Sequence, residues 1–234
     1  MRLVDLGRLE YAEAVRVQDE LVEARLVDAV PDTLLLVEHP PVITLGRRAS
    51  LADVYLSEAE LERRGIAVCR SARGGLVTYH GPGQLVGYPI VHLRQRGLRL
   101  PAYVEALESA IVAALAEISV SASVDPEHVG VWTPGGKIAA IGIAQRHGVA
   151  LHGFAVNLQP DLGHFSLINP CGIGERGVTS AAALLGRPVD ATDFKPRIAR
   201  AVSEALSARS TSRCSSAAPP PAPSDRAAAT ARRS

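Results

Sequence analysis

The chain has 25 basic side chains, and only two of them, Lys137 and Lys195, are lysine. Lys137 heads an apolar run in PGGKIAAIGIA (134–144). A free lysine, with a pKa near ~10.4, is a poor base. Apolar surroundings disfavour the ammonium form and lower that value. Arginine stays charged and cannot be tuned this way. Lys137 therefore reads either as a proton carrier or as a turn-edge side chain whose head reaches water. Cys171 poses a matching question in INPCGIGERGVTS (168–180), where Pro170, Gly172 and Gly174 leave little bulk around the thiol. A lone cysteine is often a small buried hydrophobe, but this loop setting favours a nucleophile. A nucleophilic thiol needs a base or a cationic neighbour to form thiolate near neutral pH. His80, His152 and Lys137 are the candidates. Cys69 reads as strand core, and Cys214 lies near the C-terminus.

RGGLVTYHGPGQ (73–84) offers a different option. Paired glycines after a strand can cradle an anion with backbone N–H groups, or they can simply make a tight hairpin. GGKI lacks the first glycine and the following Ser/Thr of a phosphate-binding loop, and no GxGxxG occurs. The nucleotide signal is weak. Arg73, Thr78 and His80 alternate around the glycines and could face the polar end of a ligand.

The elements that must position these residues follow from pattern. Residues 8–29 have helical composition, and Pro31 stops them. Residues 33–39, 41–46 and 66–70 read as strands. Ser57 and Glu60 suggest a capping box for a short helix ending at Gly65. Residues 73–93 read as strand, Gly-Pro-Gly turn, strand. Pro101 opens a long helix. Residues 128–133, 137–146 and 149–158 read as successive strands joined by tight turns at Pro134-Gly135-Gly136 and His147-Gly148. Two helices finish the body. Strands in adjacent runs with helices grouped between them indicate an α+β fold with a mainly antiparallel sheet.

Residues 1–208 are expected to form one domain. Residues 209–234, rich in Ser, Ala, Pro and Arg, are expected to be a disordered tail. That tail holds five arginines against Asp225, a charge of +4, and leaves the body at −3 of the net +1. A body of that charge does not suggest a general nucleic-acid binder. Three widely separated cysteines suggest neither a disulfide framework nor a zinc knuckle. No apolar run reaches the ~18 residues of a membrane span, and the charged N-terminus has no signal-peptide core. The expectation is a soluble cytoplasmic protein.

RGGLVTYHGPGQLVGYPI, GVWTPGGKIAAIGIA and NPCGIGERGVTS together resemble the lipoyl(octanoyl) transferases, over about residues 3–206 and in that family's order and spacing. The resemblance implies the biotin/lipoate protein ligase fold, an α+β domain with a mixed, mostly antiparallel sheet. It implies transfer of octanoyl from octanoyl-acyl carrier protein, through a thioester on Cys171, to a lysine of lipoyl domains. Those acceptors would be the E2 subunits of 2-oxoacid dehydrogenases and the glycine-cleavage H protein. Lys137 would lower the thiol pKa and act as acid and base. Substrate contacts would fall on Arg73, Gly74, Gly75, Leu76, Val77, Thr78, Tyr79 and His80, on Ala140, Ile141 and Gly142, and on Gly153, Phe154 and Ala155. No cofactor, metal, ATP, nucleic acid or membrane is expected, and the chain would be a monomer.

On that reading the oxyanion would be held by backbone N–H groups of the loop after Cys171 or of Gly74-Gly75. Arg70, Arg73, Arg94, Arg96 and Arg99 could dock an acidic carrier, although a basic run is as readily a solvated loop. Competing readings are an ATP-dependent ligase of the same fold that needs no cysteine, a cysteine hydrolase using His80 or His152, and a non-catalytic acyl-binding or lipoyl-domain-docking module.

Overall fold

The computed structural model describes residues 1–169 and 176–211. The order is β1 (Arg2–Arg8), α1 (Tyr11–Leu26), β2 (Thr33–Glu38), β3 (Val42–Leu45), α2 (Glu58–Arg63), β4 (Ala67–Arg70), β5 (Val77–His80), β6 (Gln84–His92), α3 (Leu100–Ala116), β7 (Ser123–Val124), β8 (Val131–Thr133), β9 (Gly136–Arg146), β10 (Val149–Asn157), α4 (Ala181–Leu185) and α5 (Ala191–Thr211). Seven strands form one sheet in the order β1-β2-β6-β10-β9-β8-β7, and β4-β3-β5 form a second. The β1–β2 and β3–β4 pairs are parallel, and the remaining pairs are antiparallel. The fold is thus α+β with a mixed, mostly antiparallel sheet. No helix among the described residues is long and apolar enough to cross a membrane.

The large sheet is built around β6 and β10, in which every residue is buried. One face packs Leu36, Leu85, Phe154 and Val156 against Tyr103, Leu107 and Ile111 of α3 and Phe194, Ile198 and Val202 of α5. The other face meets α1, whose buried residues Tyr11, Ala14, Gln18, Val22 and Arg25 recur at helical spacing. The small sheet has its own core of Ile43, Leu45, Leu61, Val77, Tyr79 and Phe165.

Several expectations change. The charged N-terminus is a strand, because Val4 and Leu6 alternate inward against the α1 face. Pairing of Arg8 with Glu38 holds the chain extended there, so α1 starts at Tyr11 rather than at residue 8. Ser57 accepts the Glu60 N–H, but the Glu60 carboxylate turns to Arg63 and Arg64, so no reciprocal box forms there. Cys69 is half-buried on β4 at the small sheet's edge rather than in a core. The Gly-Pro-Gly turn is not a hairpin: β5 joins the small sheet and β6 the large one. Gly83 is clamped instead, donating to Glu38 Oε2 and accepting from Leu158 and Gln159. With φ +82°, and a would-be Cβ 2.4 Å from Gln159 O, that position requires glycine.

The His147-Gly148 turn is the expected hairpin, with φ 48° and 95° joining paired Arg146 and Val149. Helix α5 runs to Thr211, beyond the expected boundary at 208. The rest of the expected tail, including Cys214, lies outside the described residues.

Candidate active site

A cavity of about 300 Å³ lies where the small sheet and the 73–80 segment approach the α1 face of the large sheet. Its floor is made of residues kept small: Ala140 pairs with Ala155, and Gly142 with Gly153. Val86 and Tyr88 of β6, and Ile141 and Phe154, complete that wall. Arg73, Gly75, Leu76, Val77, Thr78 and His80 form the facing wall, with Tyr11 of α1. Arg48, Glu127 and Val129 are exposed and mark the rim.

Of the residues singled out for substrate contact, Arg73, Gly75–Thr78, His80, Ala140–Gly142 and Gly153–Ala155 line this cavity, and Gly74 and Tyr79 do not. Tyr79 points into the small sheet's core, edge-on to Phe165, because neighbours on a strand face opposite ways. The Gly74 N–H donates to Ile143 O at 2.9 Å, so it is already spent and is no oxyanion donor.

Lys137 reaches the cavity through a β-bulge. Val131 pairs with Ala139 but Trp132 pairs with Lys137, so β9 carries one extra residue at Ile138. The slip changes the phase of the strand. It puts Lys137 on the side of Ala140 and Gly142, while Ile138 and Ala139 stay in the α3 core. The half-buried amine lies 4.8 Å from the centre of the Trp132 ring. Burial pushes its pKa below the usual lysine value, opposed by Glu108, reinforced by Arg176 and opposed again by Asp125.

Cys171 lies outside the described residues, as do Gly172 and Gly174. The residues that follow them are described and meet Lys137 directly. Gly177 O accepts the Lys137 N–H at 3.1 Å, and the Thr179 N–H donates to Lys137 O at 3.0 Å. The Arg176 guanidinium stacks 3.9 Å from the Trp132 ring centre and is hydrogen-bonded to Asp125.

The opposite end of the cavity is a polar network that the sequence did not reveal. Arg73, 8% exposed, has no carboxylate partner among the described residues and donates to Thr44 Oγ1, Thr44 O and Gly74 O. Tyr11 stacks on His80 and donates to Ser71 Oγ at 2.7 Å. His80 bonds Gln84, which donates to Asn157, which donates to Thr179 O. His39 contacts Leu9 O and the Tyr88 hydroxyl, at 2.7 and 2.8 Å. Burial, then His39 and Arg73, push the His80 pKa down to about 3. Burial, then Arg73, bring His152 to about 4. Neither ring is a competent base at neutral pH. Only the paired glycines and His80 hinted at this end. Tyr11, Thr44 and Tyr88 sit in stretches whose pattern is ordinary helix or strand.

The expected docking arginines divide. Arg73 is buried, and Arg96 is tied to Asp32 and to Leu206 O. Both leave the docking surface, while Arg70, Arg94 and Arg99 are exposed.

Residues 10–203 match the model of the lipoyl protein ligase A/B catalytic domain. The chain is 49% identical over 191 residues to an octanoyltransferase of Alkaliphilus metalliredigens, covering 81% of this chain and 88% of that one. It is 44% identical over 199 residues to an octanoyltransferase of Geobacter metallireducens, covering 85% and 90%. Among solved structures, a putative lipoate protein ligase from Thermoplasma acidophilum superposes with a TM-score of 0.70 at 18% identity, covering 88% of this chain and 85% of that one. The biotin protein ligase of Aquifex aeolicus, with biotin and ATP, gives 0.57 at 14% identity, covering 88% and 70%.

Proposed function

The chain belongs to the octanoyltransferases of the lipoyl protein ligase A/B catalytic-domain family and is an acyltransferase; we propose that it moves octanoyl from octanoyl-acyl carrier protein, through a thioester on Cys171, to a lysine of a lipoyl domain. The observation that carries this reading is the Lys137 amine. It is half-buried with its pKa lowered, at the wall of a cavity floored by Ala140, Gly142, Gly153 and Ala155. The segment that follows Cys171 is hydrogen-bonded to its backbone.

The steps balance without ATP. Neutral Lys137 takes the Cys171 proton, and the thiolate attacks the octanoyl carbonyl. The bond to the carrier's sulfur breaks, and the departing thiolate receives the proton back from Lys137. The lipoyl-domain amine then attacks the new thioester and gives its proton to Lys137. The Cys171 sulfur leaves and is reprotonated. One acyl–sulfur bond is exchanged for another and then for an amide. The octanoyl chain lies along the small-residue floor. The backbone groups around Gly75 and those following Cys171 are the candidate oxyanion donors.

The lowered pKa values of His80 and His152, about 3 and about 4, make both rings weak bases, which favours this over a histidine-driven hydrolase. The test is to incubate the chain with octanoyl-acyl carrier protein and an unmodified lipoyl domain, without ATP, and measure the mass of the domain. The domain is expected to gain one octanoyl group. An unchanged mass, or gain only when ATP and free octanoate are supplied, would contradict the proposal.

A further inference from the structure

The buried face of α3 carries a charge that packing does not explain. Glu108 lies between Leu107 and Ala110 on the core side and is 4% exposed. An isolated buried carboxylate is costly, so its placement asks for a use. Its Oε1 accepts the Gly130 N–H at 2.8 Å. Gly130, with φ +123°, is pressed against the end of Lys137: a Cβ there would lie 2.7 Å from Lys137 Cε and 3.3 Å from Nζ. The carboxylate therefore holds the piece of backbone on which the amine rests.

We propose that Glu108 is a positioning residue for acyl transfer: through Gly130 it fixes the Lys137 amine, and its charge sets how readily that amine gives up a proton. This rests on the acid/base role given to Lys137 above. Among the described residues, other groups facing the amine come from outside α3. Arg176, ahead of α4, and Asp125, between β7 and β8, are paired against Trp132, and His128 sits edge-on to the same ring at 6.0 Å. Among the described residues Arg176 and Asp125 pair with one another, and Glu108 is the carboxylate behind Lys137. Burial raises the Glu108 pKa, the Gly130 N–H opposes that rise, Glu105 on the same helix adds to it and Lys137 opposes it, so Glu108 and Lys137 are coupled in both directions. A negative charge behind the amine favours the ammonium form, so removing it eases deprotonation.

The chain's lysine content makes the test direct, because Lys137 and Lys195 are the only two lysines. Brief labelling with acetic anhydride across a pH series, read by peptide mass spectrometry, gives the titration of each lysine amine without octanoyl-acyl carrier protein or lipoyl domain. Lys195, paired with Asp5, is the internal reference. In Glu108→Gln the amide oxygen can still accept from Gly130, but the charge is gone. The Lys137 labelling midpoint is expected to move down by about one pH unit, with Lys195 unmoved. The acid limb of kcat/KM should move by the same interval, whereas a purely structural role would change only thermal stability. An unmoved or raised Lys137 midpoint overturns the proposal. A shifted midpoint with an unmoved rate profile keeps the coupling and sinks the acid/base role of Lys137. If Glu108→Gln fails to fold, Lys137→Met gives the reciprocal measurement. The Glu108 carboxyl carbon, followed by NMR, should then titrate higher, and an unchanged titration overturns the coupling.

Discussion

The two ends of the cavity are both rich in titratable groups and are built to opposite purposes. At the Arg73 end, His80, Gln84 and Asn157 are linked by one run of hydrogen bonds and His39 and Tyr88 by another, the two meeting where the His39 and His80 rings lie edge to face. The histidines there stay neutral, and a buried guanidinium is satisfied by neutral oxygens of Thr44 and Gly74. At the Lys137 end, an amine rests on an indole face and a glycine, and among the described residues Glu108, Asp125 and Arg176 act on it. A network whose members are mostly committed gives shape, whereas an amine with opposed charges around it can gain and lose a proton. On the proposed reading, the base lies at the Lys137 end, so the number of histidines at a site is a poor guide to its chemistry.

The contrast breaks most sharply if the amine proves dispensable. Lys137→Arg keeps the charge but cannot lose the proton, and transfer is expected to fall by about 10²–10⁴-fold. Steady-state transfer with the fold checked by circular dichroism measures this. The floor between the two ends is tested next. Ala140→Leu fills space beside Ala155, so kcat/KM for octanoyl should fall by about 10–200-fold, while a butyryl donor is affected much less. A competition between the two donors reads the ratio.

The fixed end should reveal itself in stability. His80 and His152 have folded pKa values of about 3 and about 4, below the unfolded value of ~6.5. Their depressed values contribute stability that is fully present above pH ~6.5 and is lost as the pH falls toward the folded values. Each histidine costs at most about 1.4 kcal/mol per pH unit in that window. Urea midpoints between pH 7 and pH 5 should therefore fall, and His152→Gln should flatten the slope. The smallest effect is at Thr44. Thr44→Val removes the hydroxyl that accepts from Arg73 Nε and Nη2. About 2 kcal/mol of stability should go, a Tm drop of roughly 4–8 °C.

The sequence carried the Lys137 end of this comparison better than the other. A lysine at the head of an apolar run, in a chain that otherwise uses arginine, stands out because its chemistry differs from that of the residue it avoids. The small floor residues came from the family resemblance alone, as the stretches 140–142 and 153–155. The bulge at Ile138, which alone gives Lys137 the same face as Ala140, was not legible, since one extra residue leaves no mark on composition. The Gly-Pro-Gly turn misled for a related reason: strand, turn, strand reads alike whether the strands pair or part. Tyr11, Thr44 and Tyr88 were hidden because each satisfies the periodicity of its own helix or strand. Glu108 was hidden as well, as one glutamate in a helix that also exposes Glu105.

The central claim is that the acyl group is carried covalently by this chain on its way between donor and acceptor. Intact-mass measurement after mixing the protein with octanoyl-acyl carrier protein alone, without ATP or lipoyl domain, tests it most directly. One octanoyl adduct is expected, located on Cys171 by peptide mapping, absent in Cys171→Ala and discharged when a lipoyl domain is added. A chain that transfers octanoyl while its own mass stays unchanged, or whose Cys171→Ala variant transfers normally, would contradict it.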